Sequence, residues 1–432
     1  MDGAFTKVLE GRRPGTALHA PEVRLVTEKG TPITVDDQPV SADIISAVVM
    51  LSASGIGTVD ITLNNSRNDK ANPARPMVPV WRYNALKELS FGTLVRVDYR
   101  YGLDPWTPMI LARITSVDFS FPSATGAQVT LKGEDLSCLL KVKPEPPKDA
   151  DKPGEGGNKD KQESELVKAE LSAAAPGLKL VTADKSPFAT PLLHITRSND
   201  KTRLDFIKEL AERMDYEVFV AFNDEKPITG TKAVERPVAF HFVPARSATL
   251  GTTITLAWGR DLIDFKPAFS VWDVPTEATA MGAVPQDRGK INERVSFAEH
   301  GTEILTDLHP APGGKQPVNA VDARNTFFSV KPAINPLIVK VEKLDKARAR
   351  LAAIAAMRKG MRGFLTAEIS TIGLPSIRPG IHVILDKLSA PFDGVWYATQ
   401  TTHTLNAAGY ITKTSLRRPG MLDPKDYGKA SA

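Results

Sequence analysis

The feature that most constrains this chain is strand-period alternation that recurs in two separated regions. Val59, Ile61 and Leu63 alternate with Thr58, Asp60 and Thr62, and Val95, Val97, Tyr99 and Tyr101 alternate with Arg96, Asp98 and Arg100. A period of two puts one face of a strand on a core and leaves the other to solvent. Ile110, Ala112 and Ile114 continue the pattern, Asp118-Phe119-Ser120-Phe121-Pro122 ends a strand, and Ser123 to Gly126 is a turn before Val129 and Leu131. Pro21 to Leu140 therefore reads as several short strands in series, a small barrel or sandwich. A second strand-rich region begins near Thr252, where Ile254 and Leu256 alternate, and resumes from Phe364 to Arg418 with a hairpin: Val395 to Leu405, a turn at Asn406 to Gly409, and Tyr410 to Arg417.

Between the two regions the period changes. Leu204, Ile207, Leu210, Ala211 and Met214 fall on one helical face, and Thr202 with Asp205 three residues on resembles a capping box. Leu166 to Ala175 reads as a shorter helix, Glu217 to Phe222 as a strand, and Leu192 to Phe222 as strand, helix, strand. Residues 141–165 mix proline, glycine and both charge signs with no aliphatic residue larger than alanine after Val142, so they cannot bury enough apolar area to offset ordering entropy. Gly282 to Pro336 reads as extended loops, and Val341 to Arg358 as a long helix with one apolar stripe. The expected organisation is an N-terminal extension (1–20), a first β-domain (21–140), a mobile linker (141–165), an α/β insertion domain (166–251), a second β-domain with long loops and a helix (252–418) and a C-terminal tail (419–432). At 432 residues several domains are the reasonable expectation.

Composition narrows the function classes. Lysine and arginine exceed aspartate and glutamate by 55 − 50 = 5, too mild a bias for a dedicated nucleic-acid binder. The single cysteine, Cys138, permits no intrachain disulfide and no cysteine-rich zinc site. No run of 18 apolar residues and no secretory leader are present, which predicts cytoplasmic synthesis without membrane insertion. There is no G-x-S-x-G, H-E-x-x-H, P-loop or paired C-x-x-C. Ser54-Gly55-Ile56-Gly57 precedes a strand rather than a helix and reads as a turn, not a phosphate cradle. His194, His241, His382 and His403 lie in strand-like runs as structural histidines, and His300 and His309 have no compact metal-ligand spacing. Trp81-Arg82-Tyr83 and Tyr99-Arg100-Tyr101 could imitate a base-stacking platform, but alternating arginine is the ordinary solvent face of a strand. No catalytic, cofactor-binding or metal-binding residue is assigned, and no cofactor is expected.

Several segments, in order, resemble the late-control gene D family of contractile phage tails, which includes the hub portions of VgrG-type spikes and injection systems. Phe91-Gly92-Thr93-Leu94-Val95-Arg96-Val97, Ile110 to Val117 and Phe119-Ser120-Phe121-Pro122 are similar to its first strands and F-P turn, with Ala112-Arg113 replacing a usual glycine. Val129 to Ser137 resembles its strand followed by D-x-S. Ser198-Asn199-Asp200 leading into Leu204 to Glu212 resembles its helix, with Asp215 where glycine is common before the next strand. Gly373-Leu374-Pro375 through Pro379-Gly380, Gly394 to Tyr397, His403, Gly409-Tyr410 and Leu416-Arg417-Arg418 are similar to its closing elements.

The resemblance implies a β-rich α+β fold with two tail-tube-like β-barrel domains and an α/β insertion. It implies a non-enzymatic baseplate hub, a homotrimer whose six similar domains form a pseudo-six-fold ring between a hexameric inner tube and a trimeric spike. Its partners would be a separate spike protein, inner tube or tube-initiator proteins and baseplate wedge proteins. It would be assembled in the bacterial cytoplasm as a component of a virion or tail-like particle. The alternatives are a cell-wall hydrolase or a carbohydrate-binding component of the same kind of particle.

Overall fold

The computed structural model describes residues 8–10, 20–67, 80–102, 104–122, 126–143, 161–182, 201–222, 237–245, 253–283, 290–306, 308–310, 314–328, 334–342 and 344–423. The fold is β-rich α+β. A first unit consists of β1 (Pro21–Val26), β2 (Ile44–Ser52), β3 (Thr58–Asn64), β4 (Leu94–Tyr101), β5 (Thr107–Ser120) and β6 (Gln128–Asp135). The spatial order is β2-β3-β6-β5-β4-β1, and each neighbouring pair is antiparallel. The alternation seen in the sequence is realised here: Val59, Ile61, Leu63, Val95, Val97 and Tyr99 are all buried in one core.

The chain then builds α1 (Glu163–Ala174), β7 (Lys179–Thr182), α2 (Arg203–Met214), β8 (Tyr216–Phe222) and β9 (Val238–Pro244). Strand β9 lies between β7 and β8 in a small sheet. The Thr202 side chain caps α2 by accepting from the Asp205 amide, as the sequence predicts. Most of the expected linker lies outside the described residues, and its last part is already structured because α1 begins at Glu163. The strand expected to start at Leu192 also falls outside the described residues.

The second unit begins with β10 (Thr253–Ala257) and β11 (Leu262–Phe269). The segment expected to be loops is instead built: β12 (Glu277–Ala283), β13 (Lys290–Ser296), α3 (Phe297–Ile304) and α4 (Ala320–Thr326) precede β14 (Pro336–Glu342) and α5 (Lys346–Arg362). Its helices have only 8 and 7 residues, too short to display a helical stripe, but each starts at a side-chain cap, Ser296 or Asn319. Val341 belongs to β14, and α5 starts later than expected, after an Asp345 cap. The unit closes with β15 (Leu365–Ile372), β16 (His382–Asp386), β17 (Gly394–Asn406) and β18 (Gly409–Arg418), in the order β10-β16-β17-β18-β15-β11.

The two units are copies of one topology. Strands β2, β3, β4, β5 and β6 correspond to β11, β15, β16, β17 and β18, and the correspondence extends to single residues. The β5–β6 ladder skips Thr115, and the β17–β18 ladder skips Thr399. The β2–β3 ladder skips Ile45, and the β11–β15 ladder skips Ile263. Left-handed Gly92 and Gly380 donate their amides to the carbonyls of Ile114 and Ala398, residues that occupy equivalent positions. Glycines Gly126 and Gly409, both at positive φ, enter β6 and β18. Bulges are specific local devices that change twist and re-aim side chains, so their coincidence marks a shared plan. The copies differ in what is inserted: residues 53–57 connect β2 to β3, whereas 270–364 connect β11 to β15.

Buried ion pairs hold the insertions together. Asp215 ends α2 in the left-handed conformation, φ +60°, which explains why glycine suits this position. Here the carboxylate has a second role, accepting from Arg362 Nη2 at 2.8 Å and Arg358 Nη1 at 3.2 Å, both on α5. Arg348 of α5 likewise reaches Glu163 of α1 at 2.7 Å. Replacing one partner of a buried pair strands its charge, so Asp215→Asn is expected to destabilise the chain by about 3–5 kcal/mol. Chemical denaturation of the full chain measures this, and a loss below about 1 kcal/mol would contradict the assigned role.

Candidate functional site

The residues that could carry chemistry are placed as structural groups. His403 is wholly buried: Nδ1 lies 2.8 Å from the Tyr410 hydroxyl and Nε2 lies 3.0 Å from the Ile377 carbonyl. That carbonyl can only accept, so Nε2 carries the proton and Nδ1 accepts. Burial pushes the pKa of His403 down to about 3. His241 stacks on Phe219 at 4.8 Å, has no hydrogen-bond partner for either ring nitrogen among the described residues, and is pushed down to about 4 by burial. His309 lies against His382, 4.6 Å between ring centroids, and not against His300, whose Nδ1 is 3.3 Å from the Ser296 carbonyl. His194 lies outside the described residues. Among the described residues no group of three histidine, cysteine or carboxylate side chains is arranged to hold a metal ion, and no helix is long and apolar enough to cross a membrane.

The turn at Ser54 to Gly57 faces a carboxylate. The Gly57 amide donates to Asp135, which also accepts from the amide and hydroxyl of Ser137. Burial pushes Asp135 up to about 6 despite those donors. A buried carboxyl at this turn is the opposite of a phosphate cradle. The aromatic and basic runs are equally committed: Tyr83 is buried with its hydroxyl on Asp43, Arg82 bonds Asp43 and two carbonyls, Tyr99 is buried, and the Tyr101 hydroxyl donates to the Gly373 carbonyl at 2.9 Å. Arg24 and Arg100 lie over Trp106 at 4.4 and 4.2 Å. These rings fill cores and surface stacks rather than forming a row open to bases.

What remains are sheet edges, and here the geometry is specific. Strand β2 of the first unit pairs antiparallel with the far half of β17 in the second, from Ala47↔Leu405 to Ser52↔Gln400. The near half of β17, His382↔Tyr397 to Leu385↔Gly394, pairs with β16 on the same side. One long strand thus serves its own unit and then the neighbouring one. Tyr410 follows across the junction into the first unit's core, T-shaped against Tyr99 at 5.0 Å and stacked on Tyr101 at 5.8 Å. The equivalents of the two joined edges are open. Among the described residues, strand β11 pairs only with β15 apart from a bridge between Leu262 and Trp258, and beyond Ile114 strand β5 pairs only with β6. Phe119 and Phe121, expected to end a strand, continue an apolar alternation past the last residue that β4 covers, a signal present in the sequence.

No family model matches the sequence, and no curated protein matches it. Among solved structures, the chain is similar to the 43 kDa tail protein of prophage MuSo2 from Shewanella oneidensis, with TM-score 0.59 and 13% identity over 94% of this chain and 100% of that one. It is also similar to a tail protein from Neisseria meningitidis MC58, with TM-score 0.57 and 14% identity over 95% and 99% of the two chains. The fold is therefore one found in phage tail proteins.

The two buried histidines make stability depend on pH with a definite sign. Both are depressed below the ordinary 6.5, so the stability they contribute is present above about pH 6.5 and is lost as pH falls toward about 4 for His241 and about 3 for His403. Asp135, raised by burial, acts in the opposite direction between about pH 4 and 6. Replacing His241→Phe removes one histidine contribution and two unpartnered ring nitrogens. It is expected to raise stability at pH 7 by about 1–2 kcal/mol and to flatten the fall between pH 6.5 and 4. Thermal unfolding followed across pH tests this, and an unchanged slope would refute it.

Proposed function

We propose that this chain is a non-enzymatic hub of a contractile tail or tail-like injection particle, of the late-control gene D type, acting as a ring-forming adaptor. The observation that carries the reading is the internal duplication joined head to tail. Two equivalent β-units in one chain meet through different edges, β2 of one and β17 of the other. Such a heterologous contact, repeated, closes into a ring or runs on into a filament. With two units per chain, three chains supply six similar positions. The fold shared with phage tail proteins supports a place in that kind of particle.

Symmetry adaptation follows from the way the copies differ. The β-units approximate six-fold symmetry and suit a hexameric tube. The insertion between the units and the insertion within the second unit are different, and α2 and α5 pack them into one block through Asp215, Arg358 and Arg362. One such block per chain imposes true three-fold symmetry, suited to a trimeric spike. In this proposal the domains are residues 21–140, 166–251 and 252–418, the partners are a spike protein, tube or tube-initiator proteins and baseplate wedge proteins, and assembly takes place in the bacterial cytoplasm.

Native mass spectrometry of the full chain at micromolar concentration, alone and co-produced with a spike protein encoded beside it, is expected to show three copies of this chain. A stable hexamer, or a chain that stays monomeric in both preparations, overturns the proposal.

A further inference from the structure

The internal duplication also specifies the contact between copies. We propose that the outer edge of β11 in one copy pairs antiparallel with residues 116–121 of the next, in the register of the β2–β17 junction. This inference rests on the ring-forming reading above and adds its interface. The matched bulges set the transfer: Ile45 corresponds to Ile263, and Thr399 to Thr115. Since Val49 faces His403 in the existing junction, Pro267 faces Phe119 in the new one, with Phe265 opposite Phe121 and Phe269 opposite Val117.

Backbone direction agrees with this register. In the existing junction the Ala53 amide reaches across to the Thr399 carbonyl, so alternate residues back along β2, including Val49, direct their backbone groups at β17. In β11 the Ser270 amide turns inward to the Phe364 carbonyl, which leaves Phe265, Pro267 and Phe269 directing theirs outward. Pro267 thus sits where a missing amide hydrogen costs the unit's own ladder nothing. Its carbonyl remains an acceptor for the Phe119 amide.

Burial shows what the open edge lacks. Thr401 and His403, on β17 under the existing junction, are both 0% exposed. At the positions equivalent to His403 and Leu405, Phe119 is 39% and Phe121 53% exposed. Phe91 is 63% exposed, whereas its equivalent Pro379 is buried. Three exposed aromatic side chains therefore stand where the second unit has buried His403 and Pro379 and half-buried Leu405. On the opposite strand face the new register puts Lys266, which bridges Asp264, diagonal to Asp118, which Lys132 bridges, so no like charges face each other there. A second copy of this chain is the occupant that fits, because the junction inside the chain shows the matching edge in place.

Cysteine cross-linking tests both the partner and the register. Lys266 and Ser120 would face each other in a non-hydrogen-bonded pair, where Cα atoms come to about 4.5 Å and a disulfide can form. In a Cys138→Ser background, a mixture of Ser120→Cys and Lys266→Cys chains is expected to give covalent dimers under mild oxidation. The chain carrying both changes should give a covalent species of the size found by native mass spectrometry. Lys266→Cys combined with Ser116→Cys, four residues out of register, should link at least tenfold less. Phe119→Glu should reduce assembly while leaving the circular dichroism spectrum unchanged. If the chain is trimeric but the 120–266 link does not form, or the out-of-register pair links as well, the proposed interface is wrong and the ring reading survives. If every variant and the parent remain monomeric with and without the spike, both are overturned.

Discussion

The pairing of β2 with the far half of β17 is the constraint on which the rest of the molecule depends. It joins strands far apart in sequence and fixes the second unit against the first. A one-residue slip in such a ladder would turn every side chain to the wrong face. Three features oppose that slip. The Thr399 bulge, in the β17–β18 ladder, lies just before one end of the paired segment, the Ile45 bulge, in the β2–β3 ladder, lies just beyond the other, and Tyr410 enters the first core where Tyr99 and Tyr101 receive it. Gly373 permits that insertion, since a Cβ there would overlap the Tyr410 ring.

The insertions are fastened by a different kind of force. Glu217 on β8 accepts from Arg417 on β18 at 2.8 Å and from the Tyr397 hydroxyl, and Asp215 and Glu163 take arginines from α5. Such pairs contribute little net stability against a well-packed apolar alternative, because desolvation offsets most of the attraction. They are, however, intolerant of misplacement, since a displaced member leaves a charge in a poor dielectric. Apolar surface would let the α/β layer settle in several ways on the β-units. Paired buried charges allow far fewer, as the proposed three-fold block would require.

How much of this the sequence shows depends on how local each signal is. The alternation at Val59 to Leu63 and at Val95 to Tyr101, the Thr202 cap and the closing hairpin are local and were legible. In the sequence, segments β13, α3 and α4 resemble loops because each is too short for its period to emerge from glycine and charge around it. The duplication was not legible at residue level. Equivalent positions keep a few identities such as Gly92 with Gly380 and Thr115 with Thr399, but 270–364 separates strands that are adjacent in the first copy. Only the ladder registers, which are a property of the fold, bring the copies into alignment. Asp215 departs from the glycine common at this position; the backbone conformation can be inferred from that exchange, and the two arginines it holds cannot.

The two edges that β5 and β17 present differ in chemistry as their circumstances require. Under the junction within the chain lie Thr401 and His403, and His403 spends both ring nitrogens on Tyr410 and Ile377. That seam is formed by one molecule on folding, so it pays no translational or rotational entropy of association and can use polar groups to specify register. A seam between molecules must first offset an association cost of about 4–15 kcal/mol. Val117, Phe119 and Phe121 take the corresponding places, and aromatic area is the chemistry that supplies affinity when two surfaces meet. The same strand topology thus carries a buried histidine at the seam within the chain and an exposed phenylalanine at the equivalent open edge, the difference that the proposed contact between copies would require.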